Sequence, residues 1–208
     1  MKRFLVLLPI LVLLVGCGGD KNDGSASSGG SSMDCEISGD KSKADLADLD
    51  PDKTSSIVVD TSEGSFTFEL ATKISPCTTA SFAGLVKKGF FDGLTFHRIV
   101  PGFVIQGGDP EGTGMGGPGY STVDAPPEDT KYTKGVVALA KTQAEPPGTS
   151  GSQFFVVTGA DVGLPPDYAV LGNVTDGLDV VEKIGKLGNP ANEEPTRKVV
   201  VLRMVLTP

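Results

Sequence analysis

Apolar and polar residues alternate along SSIVVDTSEGSFTFEL, residues 55–70. Ile57, Val58 and Val59 form one short run. Phe66, Phe68 and Leu70 alternate with Thr67 and Glu69 in a second, and Ser62-Glu63-Gly64 lies between them. A period of two with a glycine-bearing turn predicts a β-hairpin. The pattern then changes. In SPCTTASFAGLVKKGFF, Phe82, Leu85 and Val86 share one helical face, Ser75 and Pro76 open the segment, and Gly89 follows Lys87-Lys88. This punctuation predicts a helix with Ser75 as N-cap, because a serine can accept from an otherwise unpaired first-turn N–H and proline has none to lose. Further strand-like runs occupy Phe103–Gln106, Val136–Ala140, Gln153–Thr158 and Val199–Val205, and a second amphipathic helix fits 178–188. Long glycine- and proline-rich loops are expected at 107–134 and 141–151. Many short strands with two helices predict a mainly β fold, a barrel or sandwich carrying its helices outside.

The N-terminus follows another pattern. Lys2 and Arg3 precede an apolar run from Phe4 to Val15, which is too short to span a bilayer and matches a secretory leader. Leu14-Val15-Gly16-Cys17 resembles a bacterial lipobox, so residues 1–16 are read as a cleaved lipoprotein signal and Cys17 as the lipidated residue. A Gly/Ser/acidic stretch follows, and residues 17–53 are expected to form a flexible tether. The folded domain is expected over 54–208, long enough for one core. These readings place the protein outside the cytoplasm, as a membrane-anchored lipoprotein of a bacterium. The remaining cysteines, Cys35 and Cys77, are then an even pair in an oxidising compartment and candidates for a disulfide.

The formal charge of −8 repels phosphate backbones and argues against nucleic acid as a partner. Membrane contact is expected through the lipid alone.

Chemistry is harder to place. Gly112–Gly117 fits the spacing of a dinucleotide fingerprint, but Pro118-Gly119 follows where a helix must open. GTSGS at 148–152 fails to complete a nucleophile elbow. A single histidine, His97, excludes a histidine/cysteine zinc cluster. The acidic residues Asp109, Glu111, Asp124, Glu128 and Asp129 lack the spacing of an EF-hand loop. No metal and no cofactor is expected. What remains is Arg98 among apolar residues, and two glutamines, Gln106 and Gln153, in apolar strands.

FDGLTFHRIVPGFVIQGGDPEGTG (91–114) and SGSQFFVVTG (150–159) resemble the cyclophilin family of peptidyl-prolyl cis–trans isomerases, and the similarity runs from Ile57 to Leu206. The resemblance implies a closed eight-stranded antiparallel β-barrel capped by two α-helices, with a substrate groove on its outer face. It implies Arg98 and Gln106 as catalytic residues. Phe103, Val104, Phe155, Leu164 and Tyr168 are implied as the wall that seats the proline, and Ala140, Lys141 and Gln153 as contacts to the substrate backbone. His97 becomes a structural neighbour. The implied partners are proline-containing segments of secreted or envelope proteins, met by a monomer.

This sequence departs from the family at several positions. Val104 replaces a common methionine, Lys141 a common asparagine and Tyr168 the pocket histidine, and Gly163 stands where many eukaryotic members carry tryptophan.

Arginine suits such chemistry. An X–Pro bond turns slowly because amide resonance sets a barrier of roughly 18–20 kcal/mol. The twisted amide localises a lone pair on nitrogen, and a fixed, permanently charged donor aimed there stabilises that state selectively. A non-catalytic proline-peptide binding module or holdase on the same fold is the alternative, but it has no use for that donor.

Overall fold

The computed structural model describes residues 34–208. The leader, Cys17 and the first part of the expected tether lie outside the described residues.

The hairpin forms as β2 (Ser56–Thr61) and β3 (Gly64–Leu70), paired from Ser56↔Glu69 to Thr61↔Gly64. Ile57, Val59, Phe66, Phe68 and Leu70 all point inward and are buried, as period two requires. Helix α1 (Pro76–Lys87) follows, then β4 (Arg98–Val100), β5 (Val104–Gly107), β7 (Val136–Leu139), β9 (Phe154–Val157), β10 (Val170–Asp176), α2 (Leu178–Gly185) and β11 (Val201–Thr207). Eight of the strands form one antiparallel sheet in the order β11-β2-β3-β10-β7-β9-β5-β4.

The sheet curls into a half-barrel rather than the closed barrel expected. Its edge strands β4 and β11 share no ladder. Their flanks meet at one isolated bridge, Thr95↔Val200, with Phe96 N–H donating to Val199 and Val201 N–H to Leu94. Beyond that point β4 has only three residues, and the whole register of β11 belongs to β2.

Inside the curl, Phe82 of α1 stacks on Phe91 with ring centroids 4.5 Å apart and meets Phe68 and Phe154 edge-on at 6.2 and 5.6 Å. Offset and edge-to-face aromatic pairs of this kind add to the burial term. Val181 and Ile184 of α2 close the other opening. Helix α2 stops at Gly185 instead of reaching 188, with Lys186 as its C-cap residue.

The tether boundary needs correction, because the folded body begins well before Thr54. Strand β1 (Ile37–Gly39) pairs with β6 (Tyr120–Val123), which also pairs with β8 (Thr149–Ser150), so a second, three-stranded sheet arises inside segments read as tether and loop. Ala47 and Leu49 are buried in the main core, and Ala47 N–H donates to the Ala80 carbonyl of α1. Gly84 faces the Asp45 carbonyl so closely that a methyl group there could not fit. Cys35 and Cys77 are joined by a disulfide, with Cα atoms 5.5 Å apart. Composition marks this segment as polar, yet a few apolar residues and one covalent link suffice to order it.

The N-cap expectation also changes. Ser75 makes no side-chain cap, and its hydroxyl is buried without a partner. The cap comes from across the fold: the Asp124 carboxylate, just after β6, accepts the Thr78 N–H at 2.6 Å. No helix among the described residues is long and apolar enough to cross a membrane.

Candidate active site

Strand pairing assembles the site. Arg98 on β4 lies opposite Gln106 on β5, and Gln106 lies opposite Phe155 on β9. Side chains at paired positions point to the same face, so the arginine, the glutamine and the aromatic ring share one outer surface of the sheet. They line a cavity of about 220 Å³. Phe103, Val104, Leu164 and Tyr168 complete its apolar wall, while Ala140 and Lys141 form its rim. Gly163 is not among the lining residues.

Beneath this wall lies a second apolar cluster, in which Val104, Phe155 and Val157 pack with Tyr132, Val136, Ala138 and Val170. Tyr132 is fully buried and was not singled out by sequence reasoning. Its hydroxyl donates to the Tyr168 carbonyl at 2.6 Å and accepts from the Tyr168 N–H at 2.9 Å, locking the backbone of a wall residue. Burial, with the nearby Asp167 and Tyr168, pushes the Tyr132 phenol up to about 12, so it stays a neutral donor. Phe155 and Tyr168 meet edge-on, with centroids 5.4 Å apart.

A chain of hydrogen bonds fixes the polar side. Arg98 Nη1 donates to Gln106 Oε1 at 3.2 Å, Gln106 Nε2 to Gln153 Oε1 at 3.0 Å, and Gln153 Nε2 to the Gly116 carbonyl at 2.9 Å. Gln153 does not line the 220 Å³ cavity and holds Gln106 from beside it. It lines an adjoining cavity of about 480 Å³, which shares Gln106, Ala140 and Lys141 with the first. The Lys141 side chain turns into its own loop. Its ammonium donates to the Thr142 and Glu145 carbonyls of its own loop, so the side chain is only 4% exposed.

Two carboxylates near the site carried no sequence signal for their roles. Glu193 accepts from Arg98 Nε at 2.7 Å, although 95 residues separate them. Asp109 is buried and accepts the N–H groups of Glu111 and Gly114. Burial alone would raise its carboxyl, but those donors and the Gly116 N–H outweigh it and hold it below the usual carboxylate range. His97 has neither ring nitrogen bonded to a partner. Burial is the main cause that lowers its pKa, with Arg98 adding to it and Asp109 opposing it, so the ring is neutral at physiological pH. An imidazole without an orienting partner is poorly placed for acid–base work.

An open groove that sets a permanent cation beside an apolar wall suits the class of sites that bind an apolar ring of a polypeptide next to a charged donor. The comparisons agree with that class. The family model described as cyclophilin type peptidyl-prolyl cis-trans isomerase/CLD matches residues 56–206. Peptidyl-prolyl cis-trans isomerase B of Bacillus subtilis is 45% identical over 117 residues, covering 56% of this chain and 80% of its own. Peptidyl-prolyl cis-trans isomerase CYP18-2 of Arabidopsis thaliana is 35% identical over 151 residues, covering 71% and 90%. A Cryptosporidium parvum cyclophilin type peptidyl-prolyl cis-trans isomerase superposes with a TM-score of 0.67 at 27% identity, over 75% of this chain and 99% of that one. The same enzyme was also solved in the presence of the dipeptide Ala-Pro, and that structure superposes with a TM-score of 0.66. The chain belongs to the cyclophilin-type peptidyl-prolyl cis–trans isomerase family, and it is a peptidyl-prolyl cis–trans isomerase.

Proposed function

We propose that this enzyme isomerises X–Pro bonds in polypeptides outside the cytoplasm, tethered through lipid on Cys17, with Arg98 as its transition-state donor. The observation that carries the mechanism is the placement of Arg98 at the edge of a cavity walled by Phe103, Phe155 and Leu164. A proline ring seated on that wall is held while the residue before it turns. As the amide twists, nitrogen regains its lone pair and becomes an acceptor. The Arg98 guanidinium meets that lone pair, whereas the planar ground state offers it nothing comparable. Interaction confined to the twisted state lowers the barrier. The Ala-Pro dipeptide used with the Cryptosporidium relative supports a proline-containing ligand for this groove.

A protease-coupled assay on short X–Pro peptides tests the mechanism. Arg98→Ala is expected to lower kcat/KM by roughly 10²–10³, the usual loss when one transition-state donor is removed. Near-wild-type turnover in the folded variant refutes the role given to Arg98. Retained peptide binding with no turnover in the wild type would favour a binding module instead.

A further inference from the structure

We propose that Glu193 is a positioning residue that aims Arg98 at the substrate, an inference that rests on the role given to Arg98 above. Three independent observations converge on it.

The first is the pairing. Glu193 Oε2 takes the Nε–H of Arg98 at 2.7 Å and Gln106 Oε1 takes an Nη1–H at 3.2 Å. Among the described residues Nη2 makes no hydrogen bond, so the guanidinium is held at two nitrogens and a donor remains for the ligand. A planar fork fixed at two nitrogens cannot rotate about its terminal bonds without losing a contact.

The second is backbone strain. Glu193 has φ +61°, and among the described residues it is the one non-glycine in the left-handed region. A side chain with a Cβ is disfavoured there, and such a conformation persists only where the surroundings impose it. They do so here. Glu193 N–H donates to the Asn189 carbonyl, and the Glu193 carbonyl accepts from the Ile99 N–H, both at 2.8 Å. Ile99 is the neighbour of Arg98 on β4. The strained residue is therefore fastened to the strand that carries the arginine, and its carboxylate starts from a fixed point.

The third is energetic. The pair is half-open to solvent, with side-chain exposures of 35% for Arg98 and 47% for Glu193. An ion pair in that setting contributes little to folding. Glycine would relieve the backbone at no loss of packing, so stability does not explain a glutamate at this position. Orientation of Arg98 does.

The test compares wild type with Glu193→Gly and Glu193→Gln. Glu193→Gly removes the carboxylate and suits the left-handed backbone, so Tm is expected to stay level or rise. Its kcat is expected to fall about fivefold with KM unchanged, the equivalent of one exposed charge-assisted contact. Glu193→Gln keeps an oxygen acceptor and is expected to recover at least half of the lost kcat. The Arg98 Nε–H resonance in a nitrogen-15 NMR spectrum reads the contact directly, and it is expected to move toward the position of a free arginine in Glu193→Gly. A kcat equal to wild type in Glu193→Gly, a loss confined to KM, or an unmoved Nε–H resonance each overturns the proposal. If the wild type proves to lack isomerase activity, the reading of Arg98 fails by itself. The resonance then upholds or sinks the Glu193 contact independently.

Discussion

Asp109 shows how one buried carboxylate can organise a stretch that looks structureless in sequence. The PEGTGMGG segment after it wraps back so that the N–H groups of Glu111, Gly114 and Gly116 converge on its two oxygens. Gly116 approaches so closely that a Cβ would strike the carboxylate. The same residue presents its carbonyl to Gln153, so Asp109 supports the polar chain that ends at Arg98. Its depressed pKa gives a sign. The carboxyl is harder to protonate folded than unfolded, so its stabilisation is complete above the unfolded value and is lost as pH falls through the folded one. Acid should therefore loosen this loop below about pH 4, starting from the ordinary aspartate value. Asp109→Asn is expected to cost about 1–3 kcal/mol, since an amide nitrogen then faces N–H donors. Urea titration at pH 7 measures the loss, and the variant should show a flatter pH dependence between pH 5 and 3 than the wild type. An unchanged urea midpoint would sink this account. His97 is the opposite case: the residue that looks most catalytic in the sequence has no bonded partner in the fold.

At the scale of elements, the first turn of α1 is held from two distant places in the chain. Cys77 in that turn is joined to Cys35, and Asp124 caps Thr78 from the end of β6. The bond spans a sequence separation of 42, which on the chain-entropy account stabilises by about 4 kcal/mol. Asp124→Ala leaves the first-turn N–H groups without their acceptor and is expected to cost about 1–2 kcal/mol. Asp124→Asn, which keeps one oxygen, should recover most of it. Thermal melts of both variants decide the matter, and equal melting points for wild type and Asp124→Ala would refute the cap. Ser75 has the right chemistry and position in sequence, but its hydroxyl is buried away from the helix N–H groups. Long-range packing overrode the local signal.

At the scale of the whole molecule, activity and location are separable. The candidate catalytic surface lies within the described residues, whereas the location proposed above rests on lipid at Cys17. Cys17→Ala is expected to abolish incorporation of a labelled fatty acid and to leave the kcat/KM of the purified domain unchanged. Label retained in that variant would show that the lipid, if any, sits elsewhere.

The hairpin β2–β3 was legible because burial of one face imposes a period of two. Helix α1, buried from Cys77 to Val86, was legible because Pro76 and Gly89 punctuate it, and strands β5, β7 and β9 because buried strands read as short apolar runs. The motif around Arg98 was legible through the resemblance of its residues to a known family, and those residues sit on adjacent paired strands. Strands β1, β6 and β8 were not legible. They are two to four residues long and, unlike β5, β7 and β9, carry no continuous apolar run, and each finds its partner far along the chain. The start of the folded body moved for the same reason: Ala47 and Leu49 are ordinary residues in a polar stretch until the core accepts them. The open edge between β4 and β11 was a matter of geometry, since no composition records where two strands diverge. Glu193 is the sharpest instance. Nothing in NPANEEPT distinguishes it from Glu194, because the backbone angle and the reach to Arg98 arise only when the loop after α2 is folded against β4. Local periodicity and motif spacing are properties of the chain, while caps, edges and ion pairs between distant residues are properties of its packing.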